Sequence, residues 1–593
     1  MNSVTADLPH RAELGDFTAD RRMVMLSLIG AGIGALGAAV AVGLLKLITL
    51  FTNLFFFQAF DLVERTPAQH TLGWAVVVIP AAGALIIGLM ARFGSERIRG
   101  HGIPEALEAI LLNGSRVEPK LAILKPLSSA ISIGSGGPFG AEGPIIMTGG
   151  AFGSLTAQCL HLSSAERKTL LVAGAAAGMS ATFAAPTASV LLAFELLLFE
   201  WKPRSLLPVA IASITAAVLR HYWIGPAPLF PTAAHAPFVG AEGAVLCGAA
   251  GLLAGLLSMG LTWSVYFFED AFQLLPIHWM WWPALGGLGV GLGGLLFPEA
   301  LGVGYDTIGA MLQGDVTLRL VAGVLVVKWI IWAMALGSGT SGGVLAPLLM
   351  MGGALGALES AAFPDYGAGF WPLLSMAATL GGTMRSPFTA TLFALELTHE
   401  FNMLFPLLVA VFTSYGLTTL TMKRSILTEK VSRRGFHLSR EYSVDPLELT
   451  FVRDVMRTDV VTLTPSPGTG EHHPGPDHPQ RLFPIVDEDG TLLGLVRAGD
   501  LPRFLAERSS SGLPAWINRR PVVARPDEAL RAIVYRMAEH GVTRLPVVSG
   551  GEQPKLVGLI TLRELLQARA RTLAEEQRRE RMLRLELPRR AVS

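Results

Sequence analysis

Long apolar runs separated by short polar breaks occupy the chain up to Met422. A helix needs about 20 apolar residues to cross the hydrocarbon core of a bilayer. Runs of about this length fall at residues 23–57, 74–90, 241–268, 281–297, 318–336 and 405–422. Shorter apolar segments, such as 170–183 and 346–358, are broken by Gly or Pro, which is typical of inverted repeats with a binding site near the midplane. The pattern predicts an all-α polytopic membrane domain with inverted repeats over residues 23–430.

The pattern changes after Met422, where charged residues become frequent and short β-branched segments alternate with polar turns. An Asp489-Gly490 turn and an amphipathic helix at 528–540 are typical of a soluble α+β module. The predicted order is a linker, a first α+β unit, a second α+β unit and a charged tail, at 431–450, 451–507, 516–570 and 571–593.

The segment SPGTGEHHPGPDHPQ, at 466–480, stands where the first helix of the first α+β unit is expected. Its Pro and Gly content predicts a loop, so this unit is degenerate. Its adjacent histidines are more typical of a solvated loop than of a metal site, and no metal site is predicted.

The composition supports a membrane protein. Hydrophobic residues make up 51% of the chain, charged residues only 16%, and the mean hydropathy is +0.48. The net charge of +1, with no basic patch beyond the tails, gives no sign of a nucleic-acid partner. Cys159 and Cys247 lie in apolar segments and are expected to be packed thiols. No nucleophile–base pair or metal-ligand cluster stands out in the membrane half, so an enzyme is not expected.

The N-terminal segment, residues 1–22, is too polar for a signal peptide. It carries Arg11, Arg21 and Arg22 before the first apolar run. Because positive charge favours the cytoplasmic side, we expect the N-terminus to be cytoplasmic. We also expect the C-terminus to be cytoplasmic and the membrane to be the cell membrane.

Two stretches read as copies of one design. The first is GAEGPIIMTGGAFGS at 140–154, and the second is GGVLAPLLMMGGALGA at 342–357. Each is a Gly-rich turn, then a proline (Pro144 or Pro347), then an apolar run with Gly-Gly-Ala. Proline is tolerated in the first turn of a helix, so both stretches predict helix starts. Helix starts present free N–H groups and partial positive charge, so the pair predicts an anion site.

These and other motifs resemble the CLC family of chloride channels and chloride/proton exchangers. GHGIPE at 100–105 resembles the family's GxGIP, GAEGP at 140–144 its GxEGP, and GVLAP at 343–347 its GxFxP. FAAPTASVLLAFELL at 183–197 matches MRSPFTATLFALELT at 384–398 in its Pro-to-Glu spacing. The soluble half resembles a pair of CBS domains. The resemblance implies chloride as the transported ion and a homodimer with one pore in each subunit.

By this resemblance, Gly102, Ile103, Val344 and Leu345 supply backbone N–H groups to chloride. Helix N-termini carry about half a charge, which attracts an anion weakly enough to release it. Glu142 is expected to place its carboxylate where the anion sits and to leave when protonated, as a gate and external proton carrier. The plainer alternatives are that the glycines serve helix packing and that Glu142 only complements a helix dipole.

Two departures concern the central anion site. His101 stands where the family usually has Ser, and Leu427 stands where it has Tyr. Neither familiar hydroxyl is therefore present, and the site rests on backbone donors. The imidazole either donates to the anion or is turned away and bonded to a carbonyl.

A third departure concerns proton coupling. Exchangers of the family commonly carry two adjacent glutamates at the end of a helix in the first repeat, and here the pair reads Glu195-Leu196. A leucine cannot shuttle a proton, which favours a channel over an exchanger. Glu195 remains a candidate relay if the protein does exchange protons.

The CBS pair is a candidate regulator. In the second unit, Thr561 and Glu564 match the positions that hold the phosphate side and the ribose of an adenine nucleotide. The first unit has Arg497 where Thr is expected, so a purely structural role is an equal alternative.

A cation transporter or membrane receptor governed by CBS domains would need acidic residues lining the membrane core. The acids there are few, chiefly Glu142, Glu195, Glu269, Asp270, Glu359 and Glu396.

Overall fold

The computed structural model describes residues 21–235, 239–435, 446–465, 478–507, 513–518, 521–549 and 554–577. The described chain forms two compact units, one ending at Arg434 and the other beginning at Gly435. The N-terminal segment up to residue 20, half of the predicted linker (436–445), most of the His-rich loop (466–477) and the tail from residue 578 lie outside the described residues.

The first unit is helical throughout, which confirms the predicted fold class. Its first half contains α1 (Arg21–Phe57), α2 (Val78–Phe93), α3 (Ile103–Leu111), α4 (Pro119–Gly134), α5 (Glu142–Gln158), α6 (Ser164–Phe183), α7 (Pro186–Leu192) and α8 (Pro203–Trp223). Its second half contains α9 (Gly240–Gln273), α10 (Trp282–Leu296), α11 (Tyr305–Gln313), α12 (Leu318–Ala322), α13 (Trp329–Gly337), α14 (Leu345–Ala362), α15 (Phe370–Met384), α16 (Pro387–Thr398), α17 (Leu404–Thr421) and α18 (Ile426–Arg433). Single π-helical segments follow α7, at Ala193–Leu198, and α12, at Gly323–Lys328.

Seven helical segments of the described chain are long and apolar enough to cross a membrane. Five of them coincide with predicted runs. Pro203–Trp223 was not predicted, because Pro208 and Arg220 interrupt its apolar sequence. The predicted run at 281–297 forms only the 15-residue helix α10, which ends just before Pro298.

The duplicated stretches pack in the same way in both halves. A β-carbon on Gly149 or Gly153 would collide with backbone carbonyls of α6, at Gly174 and Leu170. The aligned glycines of α14, Gly352 and Gly356, approach backbone carbonyls of α15 in the same manner. Close approach of membrane helices through small residues stabilises their packing. The α5–α6 and α14–α15 pairs are therefore structural copies.

The second unit is built from two antiparallel hairpins, β1 (Leu482–Val486) with β2 (Leu492–Arg497), and β3 (Arg544–Val548) with β4 (Leu556–Thr561). Its helices are α19 (Pro446–Leu449), α20 (Val452–Val455), α21 (Leu501–Glu507), α22 (Leu530–Glu539) and α23 (Leu562–Gln577).

Each hairpin has its own hydrophobic core. Gly490, with φ of +80°, closes the first hairpin at the predicted turn. The two hairpins are joined through backbone bonds from Leu492 N–H to Pro554 O (3.0 Å) and from Leu556 N–H to Gly490 O (2.9 Å).

Candidate functional site

The N-termini of α3, α5 and α14 meet in the interior of the first unit. The loops before α5 and α14 are joined by reciprocal backbone bonds, from Gly140 N–H to Gly343 O (3.2 Å) and from Gly343 N–H to Gly140 O (2.9 Å). The loop before α3 joins them through a bond from Gly100 N–H to Thr340 O (3.1 Å). Three positive helix ends are therefore held together, two from the first repeat and one from the second.

This convergence depends on glycine. Gly102 has φ of +91°, which L-residues rarely adopt, and a β-carbon there would lie 2.6 Å from the carbonyl carbon of Gly143. A β-carbon on Gly343 would lie 2.9 Å from the nitrogen of Gly143. The glycines therefore bring the loops into direct contact, beyond any role in helix packing.

The structure brings three of the four predicted N–H donors to this point. Ile103 and Leu345 are the first residues of α3 and α14, and Val344 is the N-cap of α14. N–H groups of a first turn have no acceptor within their own helix. Gly102 departs from the prediction, because its N–H donates to the Glu105 carboxylate at 2.8 Å, as in a capping box. That N–H is therefore not available to an anion in this structure.

His101 lies at the same point and is buried, with 2% of its surface exposed. Its Nδ1 has no hydrogen-bond partner among the described residues, so this nitrogen is not tied to a carbonyl. The charged groups that act on the ring are Lys430, Glu105, Lys125 and Arg434. The imidazole therefore lies within a charged environment that the sequence did not reveal.

Leu427 is fully buried in α18, which packs against α3. This helix carries Lys430, whose Nζ pairs with the Glu105 carboxylate at 2.8 Å. The leucine itself brings no polar group to the site.

The buried Lys125 joins the loop before α3 to the loop before α14. Lys125 Nζ donates to the carbonyls of Ile98 and Gly100, both at 2.8 Å, and to Ser341 Oγ at 3.1 Å. Ser341 Oγ also bonds Ser128 Oγ (3.2 Å) and Ser129 Oγ (2.9 Å). The ammonium thus bridges the loop before α3 and the loop before α14.

A cavity of about 580 Å³ opens beside the same loops. Arg99, Lys430 and Arg434 are among its lining residues, together with Glu108 and Glu269. Lys430 lines this cavity and also pairs with Glu105, so the cavity extends close to the N-terminal turn of α3.

Glu142, the first residue of α5, is fully buried. A β-carbon on Gly343 would lie 2.8 Å from its Oε2, which places the carboxylate against the loop before α14. Neither carboxylate oxygen has a regular hydrogen bond among the described residues. The carboxylate interacts electrostatically with the N–H groups of Glu142 itself and Ala346, and with the Lys328 ammonium. It therefore lies over the N-termini of α5 and α14, where their first N–H groups act on it.

Glu195 does not lie at the N-termini of α3, α5 and α14. Its carboxylate accepts hydrogen bonds from Phe388 N–H (3.2 Å), Thr389 N–H (2.8 Å) and Thr389 Oγ1 (2.6 Å), at the start of α16. Leu196 beside it is fully buried.

Thr561 and Glu564, the residues predicted to bind a nucleotide, bond each other. Thr561 N–H donates to the Glu564 carboxylate at 2.9 Å, and the Thr561 hydroxyl donates to the same oxygen. Each group is therefore the other's partner in this structure. Arg497, at the end of β2, is exposed.

Comparison with known proteins identifies the family of the membrane unit. The family model described as "Voltage gated chloride channel" matches residues 82–419, more than half of the chain. The chain belongs to this CLC family. A CBS domain model matches residues 515–571, which covers the second CBS domain of the predicted pair, at 516–570.

Relatives of this CLC chain include both channels and exchangers by name. The voltage-gated ClC-type chloride channel ClcB of Salmonella typhimurium is 29% identical, covering 66% of this chain and 94% of its own. The H(+)/Cl(-) exchange transporter ClcA of Citrobacter koseri is also 29% identical, covering 68% and 86%.

Among solved structures, a slow cyanobacterial Cl-/H+ antiporter has a TM-score of 0.60 at 20% identity, covering 70% of this chain and 98% of its own. A eukaryotic CLC transporter has a TM-score of 0.57 at 18% identity, covering 91% and 97%. At these identities the likeness shows the CLC fold. The chain is thus a membrane protein of a chloride-transporting family.

Four polar residues near this CLC site were not predicted from the sequence: Lys125, Lys328 and Ser341, described above, and Tyr305, the first residue of α11, on which Glu142 acts electrostatically. The two lysines had a signal, because each is a cation inside an apolar helical segment, where charge is costly and marks function. Tyr305 and Ser341 lie in loops or at a helix start and carry no such signal.

Proposed function

We propose that this protein is a passive chloride channel gated by the Glu142 carboxylate. The observation that carries the proposal is that this carboxylate is fully buried against the first turns of α5 and α14, where the N–H groups of Glu142 and Ala346 act on it. A charge in that position is costly unless it has a function. It occupies the place of an anion and leaves when it is protonated or when chloride displaces it.

Chloride then binds to backbone dipoles. Ile103, Val344 and Leu345 offer N–H groups of first turns. Partial charges attract the dehydrated ion and still release it, which conduction requires. His101 adds a donor from its ring when the tautomer allows. The cavity lined by Arg99, Lys430 and Arg434 is the route by which chloride approaches these N–H groups.

Passive conduction is favoured over exchange by the residues around the usual inner proton acceptor. Leu196 is aliphatic and fully buried, and a leucine offers no lone pair for a proton. Glu195 is occupied by three hydrogen bonds from α16. The competing function is chloride/proton exchange, supported by the similarity to the Citrobacter exchanger. It would need a different internal relay.

The purified protein in liposomes distinguishes the two functions. Under combined chloride and pH gradients, a channel has a reversal potential that follows chloride alone. A chloride gradient also drives no uphill proton movement. Stoichiometric proton pumping by the wild type would contradict the channel and establish an exchanger.

The oligomeric state, the location and the topology of the protein are proposed from the family resemblance. The protein is a homodimer in the cell membrane, with one pore in each subunit and both termini in the cytoplasm. The domain limits follow those predicted from the sequence, except that the membrane domain extends to Arg434, where the first compact unit ends. The CBS pair is a support for the dimer, or binds an adenine nucleotide through Thr561 and Glu564. Titration of the purified protein with ATP, with Thr561→Val as the variant, separates these two roles.

A further inference from the structure

Lys328 ends the π-helical segment Gly323–Lys328, inside an apolar stretch that is long enough to cross the membrane. Its side chain is fully buried. Single π-helical turns are rare and occur frequently at functional sites, and a buried cation in a membrane helix is costly unless it has a function. The gate mechanism proposed above does not use this ammonium.

The hydrogen bonds of Lys328 hold its ammonium in place without balancing its charge. The Nζ atom donates to the carbonyls of Gly302 (3.0 Å) and Val303 (3.3 Å), which are neutral groups. Among the described residues, the charged group that acts on Lys328 is the Glu142 carboxylate. Because an uncompensated buried charge is strongly unfavourable, the ammonium depends on this one acid for its charge balance.

The ammonium lies beside the helix whose N-terminus Glu142 covers. A β-carbon on Gly304 would lie 3.1 Å from Lys328 Nζ and 2.7 Å from Met350 Sδ, so these two side chains converge at Gly304. Met350 is in the second turn of α14, and the first turn of α14 supplies the Ala346 N–H that acts on Glu142. Lys328 is therefore next to the N-terminal turns of α14, where the gate carboxylate lies.

Two titratable side chains from other segments act on Glu142. One is Lys328, and the other is Tyr305, the first residue of α11. A phenol is neutral at physiological pH, so Lys328 is the one that brings a charge to the gate. The charged groups that act on His101 are different ones, namely Lys430, Glu105, Lys125 and Arg434.

We propose that Lys328 is the counter-charge of the gate and sets the pH at which the Glu142 gate opens. The proposal rests on the proposed gating by Glu142 and adds the residue that tunes it. Opposite charges attract strongly where water is excluded, so the ammonium favours the ionised carboxylate, which is the state that closes the pore. Protonation of Glu142 leaves Lys328 without its counter-charge. The gate therefore needs a more acidic pH to open than it would with a neutral residue at position 328.

Lys328→Gln in the full-length protein tests this role, because an amide can still donate to Gly302 and Val303 but carries no charge. Chloride flux from liposomes is measured over a range of external pH, and the pH of half-maximal flux is the readout. Without the ammonium, this midpoint should rise by about one unit, since the neutral side chain no longer favours the ionised carboxylate. Lys328→Arg keeps the charge and should have a midpoint close to that of the wild type.

Lys125→Gln is the matched control. Lys125 is also a fully buried ammonium that donates to two backbone carbonyls, but the charged groups that act on it are Glu105 and Lys430. Its replacement should lower the melting temperature without moving the pH midpoint of the flux. A midpoint that moves equally in both glutamine variants would reflect a general disturbance of the fold and would overturn the assignment.

The double variant Glu142→Gln/Lys328→Gln gives an independent measurement if Lys328→Gln alone does not fold. Glu142→Gln by itself leaves the ammonium buried without a counter-charge and should lower the melting temperature. Removal of both charges should restore part of that loss, because the two residues form one electrostatic unit. In that case, the absence of any recovery in the double variant overturns the role of Lys328.

The failure of this inference differs from the failure of the proposed function. An unmoved pH midpoint in a folded Lys328→Gln protein, with pH dependence abolished in Glu142→Gln, overturns the role of Lys328 and leaves the gate in place. Wild-type pH gating in Glu142→Gln overturns the gate itself.

Discussion

Glu195 and Glu396 each cap the helix that carries the other. Glu195, in the π-helical segment after α7, accepts the N–H groups of Phe388 and Thr389 at the start of α16 (3.2 and 2.8 Å). Glu396, in α16, accepts the N–H groups of Thr187 and Ala188 at the start of α7 (2.9 and 2.8 Å). Two carboxylates at two helix N-termini stabilise the junction between the repeats through charge-assisted bonds.

Because the two acids cap each other's helices, Glu396 is a matched control for Glu195 in the same chain. If Glu195 only caps α16, Glu195→Gln and Glu396→Gln should lower the melting temperature by similar amounts, because an amide oxygen is a weaker acceptor than a carboxylate. Both variants should leave the chloride dependence of the reversal potential unchanged. A relay role for Glu195 predicts a different result, a loss of proton coupling in Glu195→Gln and not in Glu396→Gln.

Glu142→Gln should open the gate. The neutral amide no longer competes as an anion for the first turns of α5 and α14, so chloride flux should rise and lose most of its pH dependence. Flux from liposomes over a range of external pH measures this. Glu359→Gln is the control, because Glu359 is also a buried acid of the membrane unit but is bonded to Ser375 and lies at the far end of α14. Wild-type pH gating in Glu142→Gln would show that the gate is elsewhere.

His101→Ala tests whether the imidazole touches the anion. If it does, the variant should bind chloride more weakly by about 1–3 kcal/mol, the cost of losing a hydrogen bond to a charged partner. Calorimetric titration with chloride at acidic and at neutral pH measures this. Equal affinities at both pH values, unchanged in the variant, would leave His101 as a packing residue.

The Lys125 bridge should control selectivity as well as stability. Lys125→Met removes the bonds that join Ile98 and Gly100 to Ser341. The N-termini of α3 and α14 should then no longer keep their relative positions. We expect reduced discrimination between chloride and larger halides, measured as relative permeability, together with a lower melting temperature. Lys125→Arg should restore part of both. An unchanged permeability ratio in a folded Lys125→Met protein would limit the lysine to a structural role.

The sequence predicted what depends on local chemistry. Pro144 and Pro347 indicated the starts of α5 and α14, because proline is tolerated in a first turn, and Gly490 indicated the hairpin turn of the second unit. The spacing from Pro186 to Glu195 equals that from Pro387 to Glu396, yet it did not show that the two acids exchange helix ends. That contact joins residues about two hundred positions apart, and only the packing of the repeats creates it.

The donors of the anion site were only partly predictable for the same reason. The motif around Gly102 indicated a free N–H, whereas Glu105 three residues later folds back onto it. Lys328 and Tyr305 are distant from Glu142 in sequence, and their interaction with it is a property of the tertiary structure.

The last prediction concerns an ion pair in the second unit. Arg536 donates two hydrogen bonds to the Glu528 carboxylate, at 2.8 and 2.6 Å, and these hold the pKa of Glu528 below its ordinary value. A depressed carboxyl pKa contributes stability that is present above the unfolded pKa, about 4.3, and is lost as the pH falls through the folded value. Both side chains are about three-quarters buried, so the contribution is about 1 kcal/mol at neutral pH.

Arg536→Gln in the full-length protein should therefore speed amide exchange in α22 at neutral pH, and the difference from wild type should shrink towards acidic pH. Arg503→Gln, which breaks the exposed Arg503–Glu507 pair of α21, is the control and should have no measurable effect on α22. A difference for Arg536→Gln that persists unchanged at acidic pH would show that the arginine acts through packing and not through the ion pair.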